Sequence, residues 1–105
     1  MKLMTKEIEG MFKNAKYDNP DNPIVIVKYF SPVGGATWWC TEYNPVSRIF
    51  FGFVTGLAYD EWGYISLDEL ESVKVWGSLG IERDLWFKPV PIKQALKDYY
   101  GKEIL

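Results

Sequence analysis

Between Pro23 and Ser66 the chain runs through four β-branched and aromatic stretches whose connections are too short for anything but antiparallel neighbours. The first is residues 24–30 (IVIVKYF), bounded by Pro23 and Pro32. The turn Pro32-Val33-Gly34-Gly35, whose glycines tolerate positive φ, leads into residues 37–43 (TWWCTEY). Asn44-Pro45-Val46-Ser47 turns the chain into residues 48–55 (RIFFGFVT), and residues 56–61 turn it again into a shorter run, 62–66 (WGYIS). Parallel neighbours would need crossovers of about a dozen residues or more. A meander follows. Residues 82–88 (ERDLWFK) alternate well enough for a fifth strand, stopped by Pro89 and Pro91.

Helices are predicted on either side of these strands. Met4, Ile8, Met11 and Ala15 recur at helical steps over residues 5–15, with Thr5 as N-cap and Glu7 in the first turn. Ser66-Leu67-Asp68-Glu69 is a capping box that starts a short helix near 67–72, with Leu67 and Leu70 inward. Ile92, Ala95, Leu96, Tyr99 and Tyr100 make one apolar helix face, with Pro91 at its first position and Gly101 as C-terminal cap. Residues 76–80 (WGSLG) read as a loop. The 105 residues contain no repeat or linker, so the expectation is a single α+β domain over 1–105. Its sheet is four- to five-stranded, mainly antiparallel, with N-terminal, short central and C-terminal helices.

Eighteen aromatic residues are unusual for this length. Simple alternation places Thr37, Trp39, Thr41 and Tyr43 on one face of the second strand, and Trp38, Cys40 and Glu42 on the other. Large rings then fall on both faces. Core packing accounts for most of them if the three helices cover one face and loops cover much of the other. Trp38 and Trp76 are the rings equally suited to an open contact patch.

Composition removes much chemistry. There is no histidine, and the single cysteine, Cys40, sits between Trp39 and Thr41, where it reads as a small buried hydrophobe. One thiol and no imidazole cannot make a zinc site, and no spacing selects an all-oxygen site from Glu42, Asp60, Glu61, Glu82 and Asp84. No phosphate-binding glycine motif is present, so no cofactor is expected. A net charge of −2 disfavours an electrostatic nucleic-acid reader, although Trp38, Phe51, Phe53 and Trp86 could stack bases. No run approaches the roughly 18 apolar residues of a membrane span, nor does the N-terminus resemble a leader, so a cytoplasmic location is expected. Glu82-Arg83-Asp84 is the densest polar cluster, with Arg83 opposed to its two acids. Arg83 could clamp Glu42 across the sheet, or Glu42, Glu82 and Arg83 could line a polar pocket.

Six segments occur together in order: residues 1–7 (MKLMTKE), 23–30 (PIVIVKYF), 37–42 (TWWCTE), 50–54 (FFGFV), 63–67 (GYISL) and 81–87 (IERDLWF). The set resembles domain of unknown function 2958, a family of small bacterial proteins often encoded on plasmids and other mobile elements. The likeness runs to about Pro91 and matches the family at Trp38, Glu42, Gly52, Gly63, Glu82, Arg83 and Asp84. Trp39 and Trp86 stand where relatives tend to have tyrosine, and residues 73–77 (VKVWG) replace a more basic, Gly-rich loop. The resemblance implies no assigned activity. It suggests accessory roles such as plasmid maintenance or modulation of host defence.

The expected function is therefore a non-enzymatic interaction module, its surface formed by Trp38, Glu42, Trp76, Glu82, Arg83 and Asp84. A protein partner or a second copy would occupy it, with no membrane involved. Two other readings stand beside it: a weak single-stranded nucleic-acid binder in plasmid processing, and a carboxylate-based enzyme using Glu42, Glu82 and Asp84.

Overall fold

The computed structural model describes residues 1–75 and 79–105, with Val75 described in its backbone alone. Helix α1, Lys6–Asn14, begins as its sequence dictates: Thr5 Oγ1 accepts from the Ile8 amide at 3.1 Å, and Glu7 and Glu9 occupy the first turn. Strands β1 (Ile24–Val25), β2 (Val27–Phe30), β3 (Thr37–Asn44), β4 (Ile49–Thr55) and β5 (Glu61–Ser66) follow. Ser66 caps α2, Leu67–Ser72, by accepting from the Glu69 amide. The chain closes with β6 (Lys74–Val75), β7 (Leu79–Gly80), β8 (Glu82–Arg83), β9 (Val90–Pro91) and α3 (Ile92–Tyr100), which ends on Gly101 at φ 72°.

The main sheet is antiparallel in the order β5-β4-β3-β2-β8. The meander and all three helices are as expected, and three details differ. Residues 24–30 are divided: Ile24 and Val25 leave the main sheet to pair with Pro91 and Val90, while Ile26 donates to the Cys40 carbonyl at the crossing point. The fifth strand stops at Arg83, because the Asp84 carboxylate accepts from the Trp86 amide and the Asp84 carbonyl from the Phe87 amide, which curls the chain. Of the segment expected as a loop at 76–80, Leu79 and Gly80 instead form strand β7, paired with β6; Trp76, Gly77 and Ser78 lie outside the described residues.

The helices divide between the two faces, against the expectation that all three share one. Ile8, Phe12, Leu67 and Leu70 of α1 and α2 pack with Tyr29, Cys40 and Phe50. On the opposite face, Ile92, Ala95 and Leu96 of α3 pack with Val25, Trp39 and Phe53. This is why both faces of the central strands carry rings: each has its own apolar core to fill.

Two protonated groups are sealed in the first core. The Tyr29 hydroxyl donates to the Leu3 carbonyl, and Cys40 is fully buried. Burial pushes the Tyr29 phenol and the Cys40 thiol well above their ordinary values of 10.0 and 9.0. The unfolded chain releases these protons as pH rises past those values, whereas the folded chain retains them. Stability is thus complete below about pH 9 and declines above it, by up to about 1.4 kcal/mol per pH unit for each group. Urea midpoints measured between neutral and strongly alkaline pH should fall steadily, and Cys40→Ala should flatten the first part of the fall. An unchanged pH profile in that variant would exclude the thiol as a contributor.

Candidate functional site

The geometry of the site starts from a bulge. The register of β3 against β4 runs Trp39 to Phe53 and Cys40 to Gly52, then slips so that Glu42 opposes Phe51 and Tyr43 opposes Phe50. Thr41 is the extra residue, and its hydroxyl donates to the Phe51 carbonyl at 3.1 Å. Beyond the bulge every side chain changes face. Tyr43 joins Trp38 and Cys40 over α1, and Glu42 moves to the α3 face.

Helix α3 covers only part of that face. Next to it a row of rings continues outward: Phe53 meets Trp62 edge-on at 5.2 Å, Trp62 stacks on Phe51 at 5.7 Å with planes 7° apart, and Phe51 meets Tyr64 edge-on at 5.3 Å. Tyr64 is 82% exposed. The loop after α1 forms the opposing wall, fixed by Tyr17, whose hydroxyl donates to the Phe12 carbonyl at 2.7 Å. Between them lies a recess of about 590 Å³ lined by Tyr17, Pro20, Pro23, Glu42, Phe51 and Trp62 among others. Its size falls within the range of about 300–1,000 Å³ usual for ligand sites.

Glu42 is the only carboxylate lining the recess, and no lysine or arginine lines it among the described residues. The Tyr17 phenol is raised above its ordinary value, first by burial and then by the Glu42 charge. A carboxylate set among ring faces attracts a cation from two directions, since the quadrupole of each ring presents its negative face.

The five of the six sequence-chosen residues that are described do not form one surface. Trp38 and Arg83 face α1 and the N-terminal segment, whereas Glu42, Glu82 and Asp84 belong to the other face by register. The proposed Arg83–Glu42 clamp is absent: Arg83 Nε donates to the Lys2 carbonyl at 3.2 Å. Asp84 is committed to Lys28, with Oδ2 3.3 Å from Nζ. Glu42 and Glu82 stand two strands apart, roughly 10 Å or more at about 4.8 Å per strand. Trp76 lies outside the described residues. Of the five described, Glu42 alone reaches the recess; Tyr17 and Trp62 are its partners that the sequence reading passed over.

The model of the family described as Protein of unknown function (DUF2958) matches residues 3–100. The chain belongs to the DUF2958 family. No curated protein and no solved structure matches it. The match takes in every element of the DUF2958 fold from α1 to α3, and so includes both walls of the recess. No helix in the described residues of this DUF2958 chain is long and apolar enough to cross a membrane. Among those residues no three carboxylate or thiol groups gather as ligands for a metal ion.

Proposed function

We propose that this protein is a non-enzymatic interaction module that receives a cationic side chain of a partner polypeptide in the recess around Glu42. The observation that carries the reading is one carboxylate set among Tyr17, Phe51 and Trp62 with, among the described residues, no lysine or arginine lining the recess. A lysine or arginine inserted there exchanges water for a charged hydrogen bond and for ring faces. Those contributions are about 1.5–3 and 0.5–2 kcal/mol respectively. The charge works against nucleic acid, because phosphates beside stacked bases would meet Glu42. It also leaves the acids Glu82 and Asp84 outside the site, which weakens the carboxylate-enzyme reading.

Titration with a short arginine peptide, followed by the ring resonances of Tyr17 and Trp62, is expected to saturate. Glu42→Gln should weaken binding about tenfold, equivalent to about 1.4 kcal/mol, without altering the fold, because the side chain is exposed. Equal binding of an acidic peptide, or no response to either, would rule the recess out. An oligothymidine titration at low salt reads the nucleic-acid alternative directly.

We extend the proposal to a cytoplasmic accessory role on plasmids or other mobile elements, for which the support is the family resemblance. Plasmid retention with and without Glu42→Gln would link that role to the recess.

A further inference from the structure

The two edges of the main sheet are built differently. On one side β8 is two residues long, both charged, and the Lys2 carbonyl of the N-terminal segment accepts from Arg83. On the other side six residues, Glu61–Ser66, pair with β4 and, among the described residues, with no second strand. No turn or loop amide in the described residues bonds to the backbone of Trp62, Gly63, Tyr64 or Ile65. After Glu61 this run has no charge, proline or bulge, the devices that usually blunt an edge. Its alternate N–H and C=O groups are therefore open to a further strand.

A groove of about 470 Å³ lies beside this edge, walled by Trp38, Tyr59, Leu70 and Val73. Among the described residues Glu61 and Glu69 are its only charged lining side chains, and both are exposed. We propose that the edge of β5 takes up an extended, basic segment of a partner polypeptide as a sixth strand, its alternate side chains entering the groove beside Glu61 and Glu69. This docking mode draws affinity from the main chain and selectivity from the alternating side chains. Charge decides the occupant. Antiparallel self-pairing would bring Glu61 of each copy to the end of β5 where α2 carries Glu69, setting like charges together, whereas the neighbouring Asp68 is already paired with Arg48. A basic strand meets the same carboxylates favourably. The inference does not involve Glu42, although Trp62 of β5 lines both the groove and the recess.

The probe is a short blocked peptide alternating lysine and valine, with an alternating glutamate and valine peptide as control. The lysine peptide should bind and slow hydrogen exchange at β5 amides, and the glutamate peptide should not. N-methylation of one alternate set of its amides should weaken binding more than about tenfold, while methylation of the other set, facing solvent, should leave it unchanged. Glu61→Lys with Glu69→Lys should abolish the protection of the β5 amides, with the circular dichroism spectrum intact, and Glu42→Gln, which removes only the recess carboxylate, should leave that protection unchanged. The idea fails if millimolar lysine peptide does not slow exchange at the β5 amides, or if both methylated sets protect them alike. A concentration-dependent dimer that protects β5 in the free protein would also overturn it, in favour of self-pairing.

Discussion

Gly52→Ala is expected to destabilise the fold by about 3 kcal/mol or more, while Gly63→Ala, at the position directly opposite, changes it by less than about 1. The two glycines are register partners on β4 and β5, and their surroundings differ. A Cβ at position 52 would fall well inside van der Waals contact of the Trp39 carbonyl oxygen and 3.0 Å from Cys40 Cα. A Cβ at position 63 meets nothing within 4 Å. The obstruction at position 52 is backbone beside the β3 bulge, so no side-chain rotation relieves it; β3 and β4 must separate at the centre of the sheet. Overpacking that side chains can absorb costs about 1–3 kcal/mol, which puts this case at or above the top of that range. Since domains of this size have about 5–15 kcal/mol in all, the loss is a large fraction. A thermal melt should drop by roughly 15 °C, at about 4–8 °C per kcal/mol. A melt within about 5 °C of the parent would show that β3 and β4 are less closely apposed than described.

That bulge also marks where the sequence ceased to be readable. Helix signals are local: Thr5 and Ser66 each cap within three residues, and the steps from Ile92 to Tyr100 fix the face that α3 buries. Turns between consecutive strands are local too, and the meander followed from their shortness. Alternation along β3 held from Thr37 to Cys40 and then failed, because a bulge is a property of a pair of strands. Glu42 was accordingly placed beside Trp38, on the face it does not occupy. Its true companions, Tyr17 and Trp62, lie 25 and 20 positions away and come to it only through the register. Non-local pairing likewise explains β1, whose partner β9 is more than 60 residues on.

Other misses had a local signal. Asp84 stands two residues before an amide that it caps, a common turn arrangement for aspartate, and that arrangement ends β8 early. Arg48 closes the turn after Asn44 at φ 59°, where its guanidinium reaches Asp68 at 2.7 Å and Glu71 at 2.6 Å on α2. Asn44 prepares that turn by accepting from the amides of Val46 and Ser47. The pairing that sequence reasoning assigned to Arg83 thus belongs to the chain's other arginine.

Asp84→Ala is expected to cost about 4 kcal/mol, which assigns to stability a residue whose place in a polar cluster suggested a contact surface. Lys28 is 8% exposed; its ammonium lies 3.3 Å from Asp84 Oδ2, 4.1 Å from the centroid of Tyr99 and 5.0 Å from that of Trp39. The cation therefore ties three elements together: β2, the turn after β8, and α3. Removing one member of a buried pair typically costs about 3–5 kcal/mol, because the other charge stays behind without compensation. Here the Asp84 side chain is 23% exposed and the ring faces still hold Lys28, which favours the lower end. Loss of the Trp86 amide bond adds about 1 kcal/mol, a bond that Asp84→Asn would preserve. Lys28→Met should be milder, since Asp84 can turn to water. Combined with Asp84→Ala it should restore part of the loss, giving a coupling of about 1 kcal/mol or more in a double-mutant cycle. Added salt should change this coupling little, because a largely buried pair is screened much less than an exposed one. Strict additivity of the two substitutions would mean that Lys28 and Asp84 act independently, and would return Asp84 to the list of side chains free to meet a partner.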